Sequence, residues 1–181
     1  MSPSTLPDSE TLAKAYKVEV LDTSGKVVTF GELAYVSQLA SVRDEALTKA
    51  RKKLILIGCG DYQPIQHYGE NTGFKGQIYA NPSRELYQIL RLTENLNLTP
   101  EGQEKKSYLA NKTYWGNVFS SIWSGPVKHP GSIGKQGNIS QLGGEFLFGP
   151  GRQCIYASRM EHTEDHVEVA DLMKVAGVEY P

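Results

Sequence analysis

Cysteine is scarce in this chain of 181 residues: Cys59 and Cys154 are the whole supply, and they lie far apart in sequence. Two distant thiols do not make the disulfide framework of a small secreted domain, so a reducing environment is expected. No apolar run approaches the roughly 20 residues that a membrane-spanning helix requires. Met1 to Glu10 is polar and contains proline, with no basic flank leading into an apolar stretch, so it does not read as a secretory leader. Charge of one sign is lacking too. Nineteen Lys and Arg against twenty Asp and Glu give a formal net charge of -1, which removes the electrostatic basis for binding nucleic acid or an anionic membrane. The expected location is cytoplasmic. Asn111-Lys112-Thr113 and Asn138-Ile139-Ser140 match the glycosylation acceptor pattern, but without a leader they read as chance matches.

What is present suffices for one globular domain, since 39% of the residues are hydrophobic. Residues 1–12 read as a loose tail and residues 13–181 as a single domain, without repeats. Tyr16 to Leu33 predicts a hairpin: Tyr16 to Leu21 alternates, Asp22-Thr23-Ser24-Gly25 supplies a turn, and Lys26 to Phe30 returns. Tyr35 to Lys49 has helical spacing, with Leu39, Val42, Ala46 and Leu47 on one side. Leu54-Ile55-Leu56-Ile57 suits a strand covered on both faces. A helix capped by Asp61 is expected from about Pro64 to Asn71, stopped by Thr72-Gly73, and a strand at Gln77–Ala80. Asn81-Pro82 opens another helix, with Leu86, Ile89 and Leu90 as its buried stripe. This alternation argues for an α/β fold with right-handed crossovers.

Periodicity then fades over about residues 93–140, a long irregular and mildly basic insertion holding Trp115 and Trp123, with a short helix expected near Ser107 to Ser121. A hairpin follows, Gly144 to Phe148 and Cys154 to Ala157, turned by Gly149-Pro150-Gly151. A last helix is expected to open through a capping box of Asp165 and Glu168, with Val169, Leu172, Met173 and Ala176 facing inward.

Four stretches in this order, Leu54 to Asp61 (LILIGCGD), Glu70 to Tyr87, Lys135 to Gly149 and Glu161 to Leu172, resemble the peroxiredoxin-like, AhpC/TSA-related branch of the thioredoxin superfamily, especially its fungal members. The resemblance implies a thioredoxin-like fold, a central mixed β-sheet flanked by helices, and thiol-dependent reduction of peroxides or disulfides. In such relatives the hairpin is followed by a buried strand ending in Cys-x-x-Cys, which opens a long helix. Here Phe30-Gly31-Glu32-Leu33-Ala34 runs straight into Tyr35-Val36-Ser37-Gln38-Leu39, which resembles the middle of that helix. The interior strand and both cysteines are skipped, and no Cys-x-x-Cys occurs anywhere in the sequence. Such chemistry needs a thiolate favoured by a helix N-terminus and a second thiol to resolve the oxidised product.

Three readings stay open: a thiol oxidoreductase relative, impaired or inactive; a binding or regulatory module on the same scaffold; and a splice or gene-model variant of an active relative. A small peroxide, a thiol or a protein is the corresponding partner. Cys59, at the carboxyl end of the expected central strand, is the one catalytic candidate, set against the role of a small buried hydrophobe. Cys154 reads as structural. His162 and His166, four apart among Glu161, Glu164, Asp165 and Glu168, read as capping and surface residues, not zinc ligands. The glycine-rich loop Gly131 to Gly144 lacks the spacing of a phosphate or dinucleotide site, and neither cofactor nor metal is expected. Trp115 and Trp123 read as packing anchors.

Overall fold

The computed structural model describes residues 4–36, 44–72, 74, 76–103, 106 and 134–180. The expected helix at Ser107 to Ser121 and both tryptophans lie outside these residues.

The chain builds in from Ser4 on, where its sequence suggests a loose tail. The Ser4 N–H donates to the Ala157 carbonyl at 2.8 Å. Helix α1 (Ser9–Ala15) is capped by Asp8, whose carboxylate accepts from the Thr11 N–H at 2.7 Å, and it buries Leu12 and Ala15. Strands β1 (Glu19–Leu21) and β2 (Val27–Thr29) form the expected hairpin with Val20 opposite Val28. Asp22 organises its turn, accepting from the N–H groups of Ser24 (2.8 Å) and Lys26 (3.0 Å).

The second strand stops sooner than its alternation implies, because Phe30 opens α2 (Phe30–Val36). Thr29 and Glu32 form a reciprocal capping box: Glu32 Oε2 accepts from the Thr29 N–H at 2.7 Å, and Thr29 Oγ1 accepts from the Glu32 N–H at 3.3 Å. Of the helix expected over Tyr35–Lys49, the described residues are the end of α2 and α3 (Asp44–Ala50), while Leu39 and Val42 lie outside them.

Strand β3 (Ile55–Gly58), helix α4 (Ile65–Thr72) and strand β4 (Gln77–Ala80) make a β-α-β unit with β3 parallel to β4. β1 lies antiparallel to β4, giving a mixed sheet in the order β2-β1-β4-β3. Helix α5 (Glu85–Ile89) begins three residues beyond Pro82, so Pro82 sits in the turn before the helix and not at its first position. A second sheet pairs β5 (Gly144–Phe148) with β6 (Cys154–Arg159) antiparallel across a 3₁₀ turn at Pro150–Arg152. Helix α6 (Val169–Ala176) ends at Gly177, whose φ of 67° gives a left-handed cap. No described helix is long and apolar enough to cross a membrane.

The fold is therefore mixed α/β and thioredoxin-like, with helices over both faces of the strands. On β5, Leu147 packs with Leu47 of α3 and Met173 and Ala176 of α6. Phe146 and Phe148 point to the opposite face, towards Ala15, Phe30, Leu86 and Leu90. Ile57 of β3 joins that same cluster and so ties the two sheets into one core. The Gly58 carbonyl accepts from the Asn81 N–H at 2.8 Å, so Gly58 turns its backbone towards β4 and Ile57, next to it, turns away. The outward Ile57 carbonyl is met by the Tyr87 hydroxyl, which donates at 2.6 Å. Among the described residues, no strand lies beyond β3 on that side.

Asn81 joins three elements while fully buried: Nδ2 donates to the Glu19 carbonyl of β1 at 3.1 Å, and Oδ1 accepts from the Leu86 N–H of α5 at 3.0 Å. An Asn81→Ala variant strands both backbone partners and is expected to lose about 2 kcal/mol. Urea unfolding with an unchanged slope and a lowered midpoint is the check; an unmoved midpoint removes Asn81 from the account.

Candidate functional site

Cys59 follows β3 directly, at the strand end where open α/β sheets hold ligands. Its thiol is half-buried and donates to the Asn138 carbonyl, with Sγ and O 3.7 Å apart. The loop bearing Asn138 lies hard against the Cys59 turn. Asp61 N–H donates to the Lys135 carbonyl at 2.8 Å, and a Cβ on Gly60 would stand 2.5 Å from that same oxygen. Gly137 has φ of 80°, and a Cβ there would collide with the Cys59 carbonyl. Two glycines thus let two backbones meet.

A polar network surrounds the thiol. Arg84 pairs with Glu94, and Glu94 Oε2 also accepts from Asn138 Nδ2 at 2.7 Å. Asn138 Oδ1 accepts from Ser140 N–H and Oγ, at 2.9 and 2.7 Å, so the amide of this glycosylation-like triplet is engaged at both ends. Burial pushes the Cys59 thiol pKa above its ordinary value; the Arg84 charge pulls the other way and the Glu94 charge adds to the rise. Tyr87, deeply buried beside Cys59, is pushed up by the same desolvation.

Cys154, at the start of β6, is buried, donates to the Tyr156 carbonyl at 3.1 Å, and is also pushed up by burial. Both thiols are free, one following β3 and the other in the second sheet. Neither stands at the N-terminus of a described helix, the position that favours a thiolate.

The histidines depart from their expected surface role. His162 is buried, and Asp165 is fully so, with Oδ2 accepting from the Glu161 N–H at 3.0 Å instead of capping a helix. The expected capping box does not form: α6 starts at Val169, and Glu168 at its N-cap makes no side-chain capping bond. His166 Nδ1 lies 2.7 Å from Glu145 Oε1 of β5. Among the described residues, no group of three or more His, Cys, Asp or Glu side chains is placed to hold a metal ion.

Sequence reasoning missed Arg84, Tyr87 and Glu94. Arg84 adopts a left-handed φ of 58°, and Glu94 reaches the thiol's loop from ten residues further on; neither relation has a local signature. The Thr29-x-x-Glu32 box did have one.

Two outcomes follow for the thiols. Alkylation of Cys59 is expected to reach half its maximal rate above pH 8.5, the ordinary thiol value being about 8.5, and Cys154 is expected to react more slowly still. The unfolded chain ionises these groups first, so their contribution to stability, complete below about pH 8.5, falls as pH rises through the raised folded values. Gly137→Ala is expected to cost at least about 1 kcal/mol through its positive φ and the collision, and to speed Cys59 alkylation. An unchanged rate would mean that the loop does not shield the thiol.

The model of the family described as AhpC/TSA antioxidant enzyme matches residues 38–162. Peroxiredoxin-like 2C of Mus musculus is 27% identical over 190 aligned positions, covering 92% of this chain and 80% of that protein. The Homo sapiens protein of the same name is 28% identical over 199 positions, covering 96% and 84%. Thioredoxin-like protein AAED1, chloroplastic, of Arabidopsis thaliana is 26% identical over 181 positions, covering 87% and 69%. No solved structure matches the chain.

Proposed function

The chain belongs to the AhpC/TSA antioxidant enzyme family, and on that premise we propose that it is a thiol oxidoreductase relative that has lost turnover with the excision of a segment carrying Cys-x-x-Cys. The observation that carries this reading is the state of its two thiols. Each stands without a second cysteine within its own element, and burial raises the pKa of both. A peroxidatic or reductase thiol requires the reverse, a lowered pKa and a resolving partner. At neutral pH these cysteines are protonated, and an oxidised Cys59 has no neighbour in sequence to release it.

The lengths of the alignments support a loss of residues from this chain relative to the proteins it matches. Ninety-two per cent of 181 residues is about 167, which leaves about 23 of the 190 positions aligned with the Mus musculus protein opposite no residue of this chain. The join proposed for the lost segment is Ala34-Tyr35. The fungal character of the family resemblance and a cytoplasmic location belong to the same proposal, as does a peroxide or a disulfide as the ancestral substrate.

Purified protein supplied with hydrogen peroxide and a dithiol is expected to consume peroxide at the uncatalysed rate. Turnover that disappears in Cys59→Ser would overturn the proposal and make Cys59 the nucleophile. A second measurement addresses the join: inserting a relative's strand and Cys-x-x-Cys turn between Ala34 and Tyr35 is expected to create a cysteine that alkylates with an apparent pKa below about 8.5. A folded insertion variant whose new cysteine titrates like free thiol would put the join elsewhere.

A further inference from the structure

Between β6 and α6 the chain runs through residues 160–168, a strap with two histidines and four carboxylates that the thiol chemistry does not use. The strap grips the segment Asn95–Thr99. Asn95 Nδ2 donates to the Glu161 carbonyl at 3.0 Å. Thr163 donates from N–H and Oγ1 to the Asn97 carbonyl, both at 2.9 Å. Thr99 donates from N–H (3.1 Å) and Oγ1 (2.5 Å) to Glu164 Oε2. Asn95, Asn97 and Thr99 supply these contacts, while the alternate residues Leu96 and Leu98 are exposed.

Beneath the grip lies a buried histidine and carboxylate. Asp165 Oδ1 is buried, has no hydrogen-bond partner among the described residues, and faces His162 Nε2 at 4.0 Å. On the other side of the ring, His162 Nδ1 lies 3.3 Å from the backbone nitrogen of Glu164. A backbone N–H only donates, so Nδ1 must be the acceptor, and the proton of the neutral ring belongs on Nε2, towards Asp165.

We propose that His162 is a pH-operated catch for the Asn95–Thr99 segment. In the neutral ring, Nδ1 holds the Glu164 N–H and so fixes the carboxylate that grips Thr99. A proton taken from solvent converts Nδ1 into a second donor, which cannot face another N–H. The Glu164 turn must then swing away, loosening Thr99 and Asn97, while Asp165 balances the charge that the ring acquires.

The charged groups of the strap and of the elements it touches decide where the release stops. On the strap these are Glu161, Glu164 and Asp165, with Glu168 at the start of α6. The Asn95–Thr99 segment contributes no charge. β5 contributes Glu145, already engaged by His166 at 2.7 Å. The far end of the strap therefore stays on β5, and only the end carrying His162 opens.

The test is amide hydrogen exchange of residues 95–99 and 163–164, corrected for intrinsic rates, between about pH 7.5 and about pH 5.5. Protection is expected to fall about tenfold on acidification in the native sequence. It is expected to stay level in His162→Asn, whose side-chain oxygen supplies an acceptor near the Nδ1 position without titrating, and to fall as before in His166→Asn. Constant protection in the native sequence, or the same fall in His162→Asn, overturns the proposal. Should His162→Asn not fold, nitrogen chemical shifts of the His162 ring in the native sequence serve instead. Nδ1 is expected to be unprotonated at neutral pH and to gain its proton in step with the loss of protection, and a ring that titrates with no change in exchange overturns it.

Discussion

Ile57, Phe146 and Phe148 share one apolar layer with Ala15, Val18, Leu86 and Leu90, and the body of the protein hangs on that layer. Among the described residues the strands fall into two sheets with no backbone pairing between them, so the hydrogen-bond ladder that usually makes a sheet continuous is not what joins these halves. Apolar burial does the joining, and it is non-directional: it fixes proximity without fixing register. The directional contributions come from single side chains, Tyr87 on the Ile57 carbonyl and Arg159 on the Leu90 carbonyl at 2.6 Å, with its guanidinium over the Phe146 ring.

That arrangement bears on the thiols. Cys59 leaves β3 where the strand end is hemmed by Tyr87 below and by the Lys135–Ser140 loop above. Desolvation by these neighbours outweighs the attraction of Arg84, whose charge is shared with Glu94. A cysteine in such surroundings behaves as a small packing residue with a weak donor. The same Glu94 that neutralises Arg84 also holds Asn138, so the electrostatics and the closure of the loop come from one side chain.

Much of the secondary structure was legible because it depends on local periodicity and turn chemistry. Leu54 to Ile57, Gln77–Ala80, the Gly149-Pro150-Gly151 hairpin and the inward stripe of α6 follow from apolar spacing and from glycine and proline. Helix starts were less legible, because several residues compete for each cap. Asp165 has the spacing of a capping residue with Glu168, yet the backbone of Glu161 claims it, and the strap delays α6 to Val169. Thr29 and Glu32 do form a capping box, which hydrophobic alternation through Phe30 concealed. The surroundings of Cys59 assemble from residues 84, 87, 94 and 138, far apart in sequence and joined only by the fold. The burial of His162 was illegible too, and the strap that carries it is held by Asn95–Thr99, a segment distant in sequence.

The placement of Ser4 and Thr5 along β6 has a consequence for how the molecule meets its own copies. Ser4 N–H covers the Ala157 carbonyl, Ser4 Oγ accepts from the Arg159 N–H at 3.1 Å, and the Thr5 carbonyl accepts from Arg159 Nη1 at 2.9 Å. Two residues with little apolar content thereby occupy the outer rim of the small sheet, where an uncovered row of backbone groups would template pairing with another chain. Ser4 and Thr5 contribute almost nothing to the core, yet they stand guard over colloidal behaviour: a chain without these two contacts would differ less in folding than in its tendency to find its own copies.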